Sequence, residues 1–143
     1  MSENFDKFVK KLQKEIIKKD IEDHNEKIVN LFHNPQNWGK PPKKDITVSE
    51  EYRGGPRNYF LGLYLKIEDD VIAKANFITD GCGVMVATAS QTTLLIEGRS
   101  LEFAESLKPE NLDEALAGIP NNEKHCAELA IRTLKCAIQK YKK

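Results

Sequence analysis

The sequence has no net charge, no long apolar run and no disulfide framework, and each absence narrows the function. Its 22 basic and 22 acidic side chains cancel, so nothing global favours a nucleic-acid partner. No stretch has the length and apolarity of a signal peptide or a membrane span, so we expect a cytoplasmic protein that does not enter a membrane. Three cysteines without a Cys-x-x-Cys pair do not form a disulfide framework, and a reducing compartment would keep them as thiols.

The length and the helical periodicity of the first third predict one domain, 1–143, with an additional N-terminal helix. A chain of 143 residues can bury a self-supporting core. Residues 4–22 place apolar side chains at helical spacing with lysines opposite, which predicts an amphipathic helix over 1–22. Asp23 and Glu26 resemble a capping box, so a second helix is expected over 25–33. Its predicted inward side chains are Ile28, Val29 and Phe32.

Alternating apolar residues predict an antiparallel hairpin in the middle of the chain. The period-two pattern runs through 59–67 and resumes over 71–77, with an acidic turn between the two runs. Residues 46–48 would form a short strand, and 53–56 a loop. We expect one face of the hairpin to be buried.

Helical patterns return after the hairpin. A tightly packed helix of small and apolar residues is predicted over 84–96, with Gly98 just beyond its C-terminus. Short helices follow from residue 100 and over 109–117, and a final amphipathic helix covers about 122–141. The predicted fold class is therefore α+β, a small antiparallel sheet of about three strands with helices packed mainly on one face.

Two of the three cysteines lie where a helix begins. Cys82 stands between two glycines where the hairpin leads into the next helix, and His125-Cys126 opens the last helix. Converging backbone N–H groups and the positive end of the helix dipole favour thiolate at such positions. Iron and zinc prefer thiolate and imidazole ligands. From the residues alone, metal ligation is about as reasonable as two buried core cysteines.

Other candidate side chains have more ordinary interpretations. Cys136 shares the core-facing stripe of the last helix, and His24 and His33 lie at the ends of the second helix, where surface or capping roles are common. Asp80 could ligate metal, orient its loop or accept hydrogen bonds from backbone N–H groups. Arg57 is either a solvated loop residue or a cation that stabilises a neighbouring thiolate.

A hydrolytic Cys–His pair is a third kind of interpretation. Neighbouring residues of a helix point about 100° apart, so His125 is poorly placed to serve Cys126 as a base, although it could face Cys82. No side chain in a recognisable orienting position supports this possibility.

The order and spacing of several segments between 24 and 141 resemble the U-type iron–sulfur cluster assembly scaffolds, the family of IscU, SufU and the N-terminal part of NifU. The segments that carry the resemblance are the helix and Asn-Pro-Gln-Asn-Trp-Gly turn of 24–39, the hairpin, Gly81-Cys82-Gly83, Gly98-Arg99-Ser100-Leu101 and His125-Cys126. The combination is far more specific than any single segment.

The resemblance implies a carrier protein rather than an enzyme. In that family three cysteines and an aspartate surround a [2Fe-2S] cluster or zinc, and the last cysteine receives sulfur from a cysteine desulfurase before the cluster passes to acceptor proteins. Carried over by position, Cys82 matches the middle cysteine, Cys126 the last, and His125 the histidine beside it. The resemblance thus implies that Cys82, His125 and Cys126 bind iron or zinc and that Cys126 takes up sulfur.

The chain departs from the family at two motifs. The family's Ala-Cys-Gly-Asp before the first long strand falls near 57–59, where this sequence has neither cysteine nor aspartate. The family's chaperone-binding Leu-Pro-Pro-Val-Lys motif falls on 119–124, where only a proline is kept. One thiolate and one carboxylate are missing from the expected site.

Three arrangements remain open with the ligands that are left. Two copies of the chain could share a cluster through Cys82 and Cys126 of each, which gives four thiolates. One copy could use Cys82, His125, Cys126 and a fourth group such as Asp80, which would suit zinc or a cluster with incomplete thiolate ligation. Alternatively, a cluster-free or zinc-binding paralogue could act as a regulatory partner of the desulfurase system.

Overall fold

The computed structural model describes residues 7, 8, 10 and 25–143. The predicted N-terminal helix lies largely outside the described residues, and so does His24. Among the residues described, no helix combines the length and apolarity needed to cross a bilayer.

Helix α1 (Glu26–His33) is capped by Asn25, and Asp23 of the predicted capping box lies outside the described residues. The Asn25 side-chain oxygen accepts a hydrogen bond from the N–H of Ile28 at 2.9 Å, and its amide donates to the carbonyl of Gly118 at 2.7 Å. Ile28 and Val29 are buried as predicted, but Phe32 is 42% exposed. The predicted inward position of Phe32 is wrong because its ring lies against the backbone of Gly83, outside the core.

The sheet has three antiparallel strands in the order β1-β2-β3. The predicted hairpin is confirmed as β2 (Tyr59–Glu68) and β3 (Val71–Thr79), in a register that pairs Leu63 with Phe77. Strand β1 (Val48–Gly54) is longer than the short strand predicted at 46–48 and includes half of the predicted loop. The full length of β1 was not predicted because its sequence is polar. It is an edge strand, and its side chains are only partly covered.

The hairpin was predicted to have one buried face, but both faces are buried at the centre of β2. Leu61, Leu63 and Leu65 face the core, yet Tyr64 on the opposite face is only 1% exposed. The preceding segment covers this face: Trp38 and Pro41 line a surface cavity together with Tyr64.

The helices that follow the sheet pack mainly against one face of it. They are α2 (Gly83–Ile96), α3 (Leu101–Ser106), α4 (Pro109–Ala115) and α5 (His125–Lys142), with a 3-10 turn at Asn121–Glu123. Small buried side chains such as Ala87, Ala89 and Ser90 let α2 pack closely against its neighbours. The α+β prediction is confirmed, and the packing of α2 against α5 brings their N-terminal regions to the same end of the fold.

Candidate metal centre

Cys82 is the N-cap residue of α2. The glycines on either side of it allow the loop to lie close to neighbouring side chains. A Cβ at position 81 would come within 2.6 Å of Met85 Cβ, and one at Gly83 within 2.8 Å of the Phe32 ring. Both distances are shorter than side chains tolerate, so the two glycines let the loop fold tightly onto α1 and α2. The result is a half-buried thiol at the start of a helix.

Cys126 lies in the first turn of α5 and is fully buried. Its sulfur, the sulfur of Cys82 and a carboxylate oxygen of Glu123 all lie within 4.8 Å of one another. Although α2 and α5 start 42 residues apart, on either side of α3 and α4, the fold therefore brings the two predicted cysteines together.

Glu123 is a member of this group that the sequence analysis missed. It ends the 3-10 turn before α5, its side chain is only 13% exposed, and its Oε2 lies 3.6 Å from Cys82 Sγ and 3.9 Å from Cys126 Sγ. A signal was present, because residues three apart share a face of a helical turn and Glu123 precedes Cys126 by three. The segment was interpreted only as the remnant of a chaperone motif.

His125 borders the group from the side of Glu123. Its Nε2 lies 3.7 Å from Glu123 Oε2, and its Nδ1 lies 4.0 Å from Cys126 Sγ. The Nε2 atom is buried and has no hydrogen-bond partner among the described residues. The imidazole therefore offers a ring nitrogen directed toward the carboxylate.

Asp80 does not join the two cysteines. One of its oxygens accepts a hydrogen bond from the N–H of Phe60 at 2.8 Å, and the other pairs with Arg53 at 3.0 Å. The bond from Phe60, helped by Arg53, holds the pKa of Asp80 below its usual value. With a side chain that is 51% exposed, Asp80 ties the loop to β2 and β1, which matches the alternative in which it satisfies backbone N–H groups.

Cys136 and His33 also lie apart from the Cys82–Glu123–Cys126 group. Cys136 is half-buried further along α5, and His33 lies at the end of α1, where its ring contacts Phe32. Neither residue lies where it could share a metal ion with the two cysteines.

Arg57 and Tyr59 occupy the region where the family's first cysteine and aspartate were expected. The Arg57 guanidinium lies 3.3 Å from the Tyr59 hydroxyl and 3.8 Å from Glu123 Oε1. A hydrogen bond to Cys82 raises the pKa of Tyr59 above its usual value. This region therefore supplies a cation beside Glu123 and a phenol beside Cys82 at the edge of the site.

The two cysteines have opposite acid–base behaviour. A hydrogen bond from the Cys126 thiol, with smaller contributions from Tyr59 and backbone N–H groups, lowers the pKa of Cys82 to about 4. The same hydrogen bond, together with burial, raises the pKa of Cys126 far above its usual value. Burial and the negative sulfur of Cys82 raise the pKa of Glu123. Three acidic groups therefore lie close together, and a bound cation would stabilise their deprotonated forms.

An apolar cavity of about 230 Å³ opens onto the exposed side of Cys82. Its wall consists of Ile28, Val29, Phe32, Cys82, Gly83, Val84 and Glu123. Within the described part of the chain, Cys82 lines this cavity, whereas Cys126 is not part of its wall and is buried. Two sulfurs, a carboxylate and an imidazole form a donor set that suits iron or zinc.

This chain is similar to a known protein family along most of its length. The family model described as the NifU-like N-terminal domain matches residues 23–143. The iron–sulfur cluster assembly scaffold protein IscU of Haemophilus influenzae is 36% identical over 121 residues, which cover 83% of this chain and 95% of that protein. The IscU protein of Azotobacter vinelandii is 35% identical, with 83% and 94% of the two chains covered.

A solved structure supports the fold independently. A protein of Fervidobacterium islandicum AW-1, described as an iron–sulfur cluster assembly scaffold for the SUF system, superimposes with a TM-score of 0.63 at 18% identity. The match covers 82% of this chain and 98% of that one. At this identity the likeness concerns the fold alone. The match of the family model over most of the chain and the identity to IscU proteins show that this protein belongs to the family of NifU-like N-terminal domains.

Proposed function

We propose that this protein is an iron–sulfur cluster assembly scaffold, which receives iron and sulfur, holds a nascent cluster at Cys82 and Cys126 and passes it to acceptor proteins. The observation that carries the proposal is the convergence of both cysteine sulfurs and the Glu123 carboxylate within 4.8 Å at the accessible end of the fold. Relatives that are 35–36% identical are named as scaffolds of this kind.

The role of the two thiols follows from their unequal exposure. Cys126, the sulfur acceptor implied by the family resemblance, is fully buried, whereas Cys82 lines the open cavity. Sulfur therefore arrives at Cys82. The Cys82 thiolate attacks the outer sulfur of a persulfide on the donor protein, the donor's S–S bond breaks, and the donor leaves as a thiolate. Cys126 lies close enough to take part in holding the sulfur with iron.

The partners of this chemistry are a cysteine desulfurase as sulfur donor and apoproteins as cluster acceptors. The protein acts as a carrier and turns over no small-molecule substrate of its own. A cytoplasmic location stays a prediction, as does binding of zinc at the same ligands. The alternative of a cluster-free regulatory partner is not favoured, because the chain keeps two thiols and a carboxylate together in a site with the donor chemistry of iron.

Anaerobic reconstitution tests the proposal. The purified chain is incubated with ferrous iron and sulfide, desalted, and assayed for iron, acid-labile sulfide and visible absorption. We expect a brown protein that contains both elements, and near-complete loss of both in Cys82→Ser and Cys126→Ser. The matched control Cys136→Ser should bind like the unaltered chain.

Two results would reject the scaffold proposal. The first is a chain that takes up neither iron nor sulfide under these conditions. The second is undiminished uptake by the Cys82→Ser, Cys126→Ser double variant. A colourless chain purified with zinc at the same residues would replace cluster assembly with metal holding.

A further inference from the structure

The scaffold proposal leaves a shortage of ligands within one chain. Cys82 and Cys126 supply two thiolates, while a cluster bound through sulfur alone needs four. The region of Arg57 and Tyr59 supplies neither a thiolate nor a carboxylate, and Asp80 is turned toward Phe60 and Arg53. Either a second copy contributes ligands, or another residue of the same chain does.

We propose that Glu123 is the missing ligand, so that a single chain binds iron through Cys82, Cys126 and Glu123, with His125 Nε2 as the fourth donor. This inference rests on the proposed function and specifies the ligands of the same site. It replaces the predicted Asp80 with the carboxylate of Glu123.

The position of Glu123 beside both sulfurs is the first observation in favour of ligation. Its Oε2 lies 3.6 Å from Cys82 Sγ and 3.9 Å from Cys126 Sγ, so that the oxygen and the two sulfurs form a compact triangle. Both separations are within hydrogen-bond range for a thiol, and three donor atoms this close together could ligate one metal ion. The side chain is mostly buried, and an uncompensated carboxylate is costly in such surroundings.

The imidazole of His125 provides the second step. Its Nε2 is buried without a hydrogen-bond partner among the described residues and lies 3.7 Å from Glu123 Oε2. Buried side-chain nitrogens are nearly always paired in native proteins, and leaving one unpaired is destabilising. A metal ion held by Glu123 would give this nitrogen the partner that the described protein groups do not.

Arg57 acts as a positioning residue for the Glu123 carboxylate. Its guanidinium lies 3.8 Å from Glu123 Oε1, the oxygen that does not face the sulfurs. Since Arg57 is half-exposed, it holds the outer oxygen from the solvent side while Oε2 stays directed inward. The cation found near the place of the family's first cysteine therefore orients the group that replaces that cysteine.

The test uses the full chain after anaerobic loading with ferrous iron and sulfide, with iron retention measured against a chelator and the mass of the loaded species measured by native mass spectrometry. We expect iron in a species of one chain. Glu123→Gln keeps the size and the fold but should retain iron at least about tenfold less well, as expected for a lost ligand interaction. Glu128→Gln, at an exposed residue of α5, the helix that follows Glu123, is the matched control and should behave like the unaltered chain.

Replacement by a sulfur ligand separates ligation from a structural role. Glu123→Cys should restore iron retention and add sulfur-to-iron charge-transfer absorption, which a residue acting only through packing would not do. Circular dichroism of the metal-free variants confirms that each is folded. Retention of iron and an unchanged spectrum in both Glu123→Gln and Glu123→Cys would overturn the inference, as would iron found only in a species of two chains.

These outcomes are distinct from failure of the scaffold proposal. If Glu123 is not a ligand, the unaltered chain still loads iron and sulfide and still loses them in Cys82→Ser. If the protein is not a scaffold, the unaltered chain does not load at all, and the ligand inference falls with it.

Discussion

Cys82 and Cys126 share a proton in the metal-free protein. Their sulfurs lie within 4.8 Å of each other, and the hydrogen bond between them stabilises the thiolate of Cys82 while keeping Cys126 protonated. The charge therefore resides on the more exposed sulfur, which lies at the N-terminus of α2, where the helix dipole adds to its stabilisation. The more exposed sulfur is therefore the better nucleophile of the pair.

The pH dependence of alkylation should report this arrangement. An ordinary thiol with a pKa near 8.5 loses most of its thiolate, and so slows by about a hundredfold, when the pH falls from 8 to 6. The pKa of Cys82 is lowered to about 4, so its reaction with iodoacetamide should change little over this range. Peptide mass spectrometry of the metal-free chain gives the rate at Cys82, with glutathione as the reference thiol. A Cys82 rate that falls in parallel with glutathione would contradict the assignment.

Asp80 should behave as a structural residue and not as a ligand. Its carboxylate accepts the hydrogen bond from Phe60 and pairs with Arg53, in a partly exposed position that limits their worth. Asp80→Ala should lower the free energy of unfolding by about 1 kcal/mol without reducing the iron content after loading. Because the pKa of Asp80 is held low, this contribution is present at neutral pH and disappears as acid protonates the group. Loss of iron without loss of stability would restore Asp80 as a ligand.

Some residues of the site could be predicted from the sequence, and others could not. Cys82 and Cys126 could be singled out because each stands at the beginning of a predicted helix, where a thiol has chemical meaning. Glu123 could not, since its approach to both sulfurs depends on the 3-10 turn that follows Pro120. Arg57 was left with two interpretations, because only the fold brings β2 beside the turn before α5.

At the scale of elements, strong periodicity predicted the framework and weak periodicity did not. The hairpin and α5 follow clear patterns of period two and 3.6, and α2 is a long run of small and apolar residues; all three were expected with nearly the observed bounds. Strand β1 is an edge strand with an acidic and polar sequence, so its pairing with β2 is set by the neighbouring strand and not by its own pattern. The burial of Tyr64 likewise depends on a segment that is distant in sequence.

Asn25 joins α1 to the loop that leads into the site. Its side chain caps α1 and also donates to the carbonyl of Gly118, near the start of the segment that carries Glu123. Asn25→Ala should lower the free energy of unfolding by about 1 kcal/mol, the usual cost of a lost N-cap. Asn30→Ala makes the same chemical change at an exposed position inside α1 and should have little effect. Chemical denaturation of the two variants makes the comparison, and equal losses would show that capping is not the cause.

At the scale of the whole molecule, the packed helices and the sheet hold the site at one end of the fold. The tightly packed α2 and α5 rest on the sheet, and the two cysteines lie at the end of the fold where these helices start. The apolar cavity beside Cys82 leaves one side of the site open. A carrier must both receive and release its cargo, and a site with one buried thiol, one accessible thiol and an oxygen ligand fits that requirement.

Native mass spectrometry of the anaerobically loaded chain tests the central claim most directly, because it weighs the bound iron and sulfide and counts the chains that hold them. The account predicts a single chain with iron and sulfide bound, and a bare chain when Cys82 and Cys126 are both replaced by serine. A bare unaltered chain, or equal loading of the double variant, would contradict it.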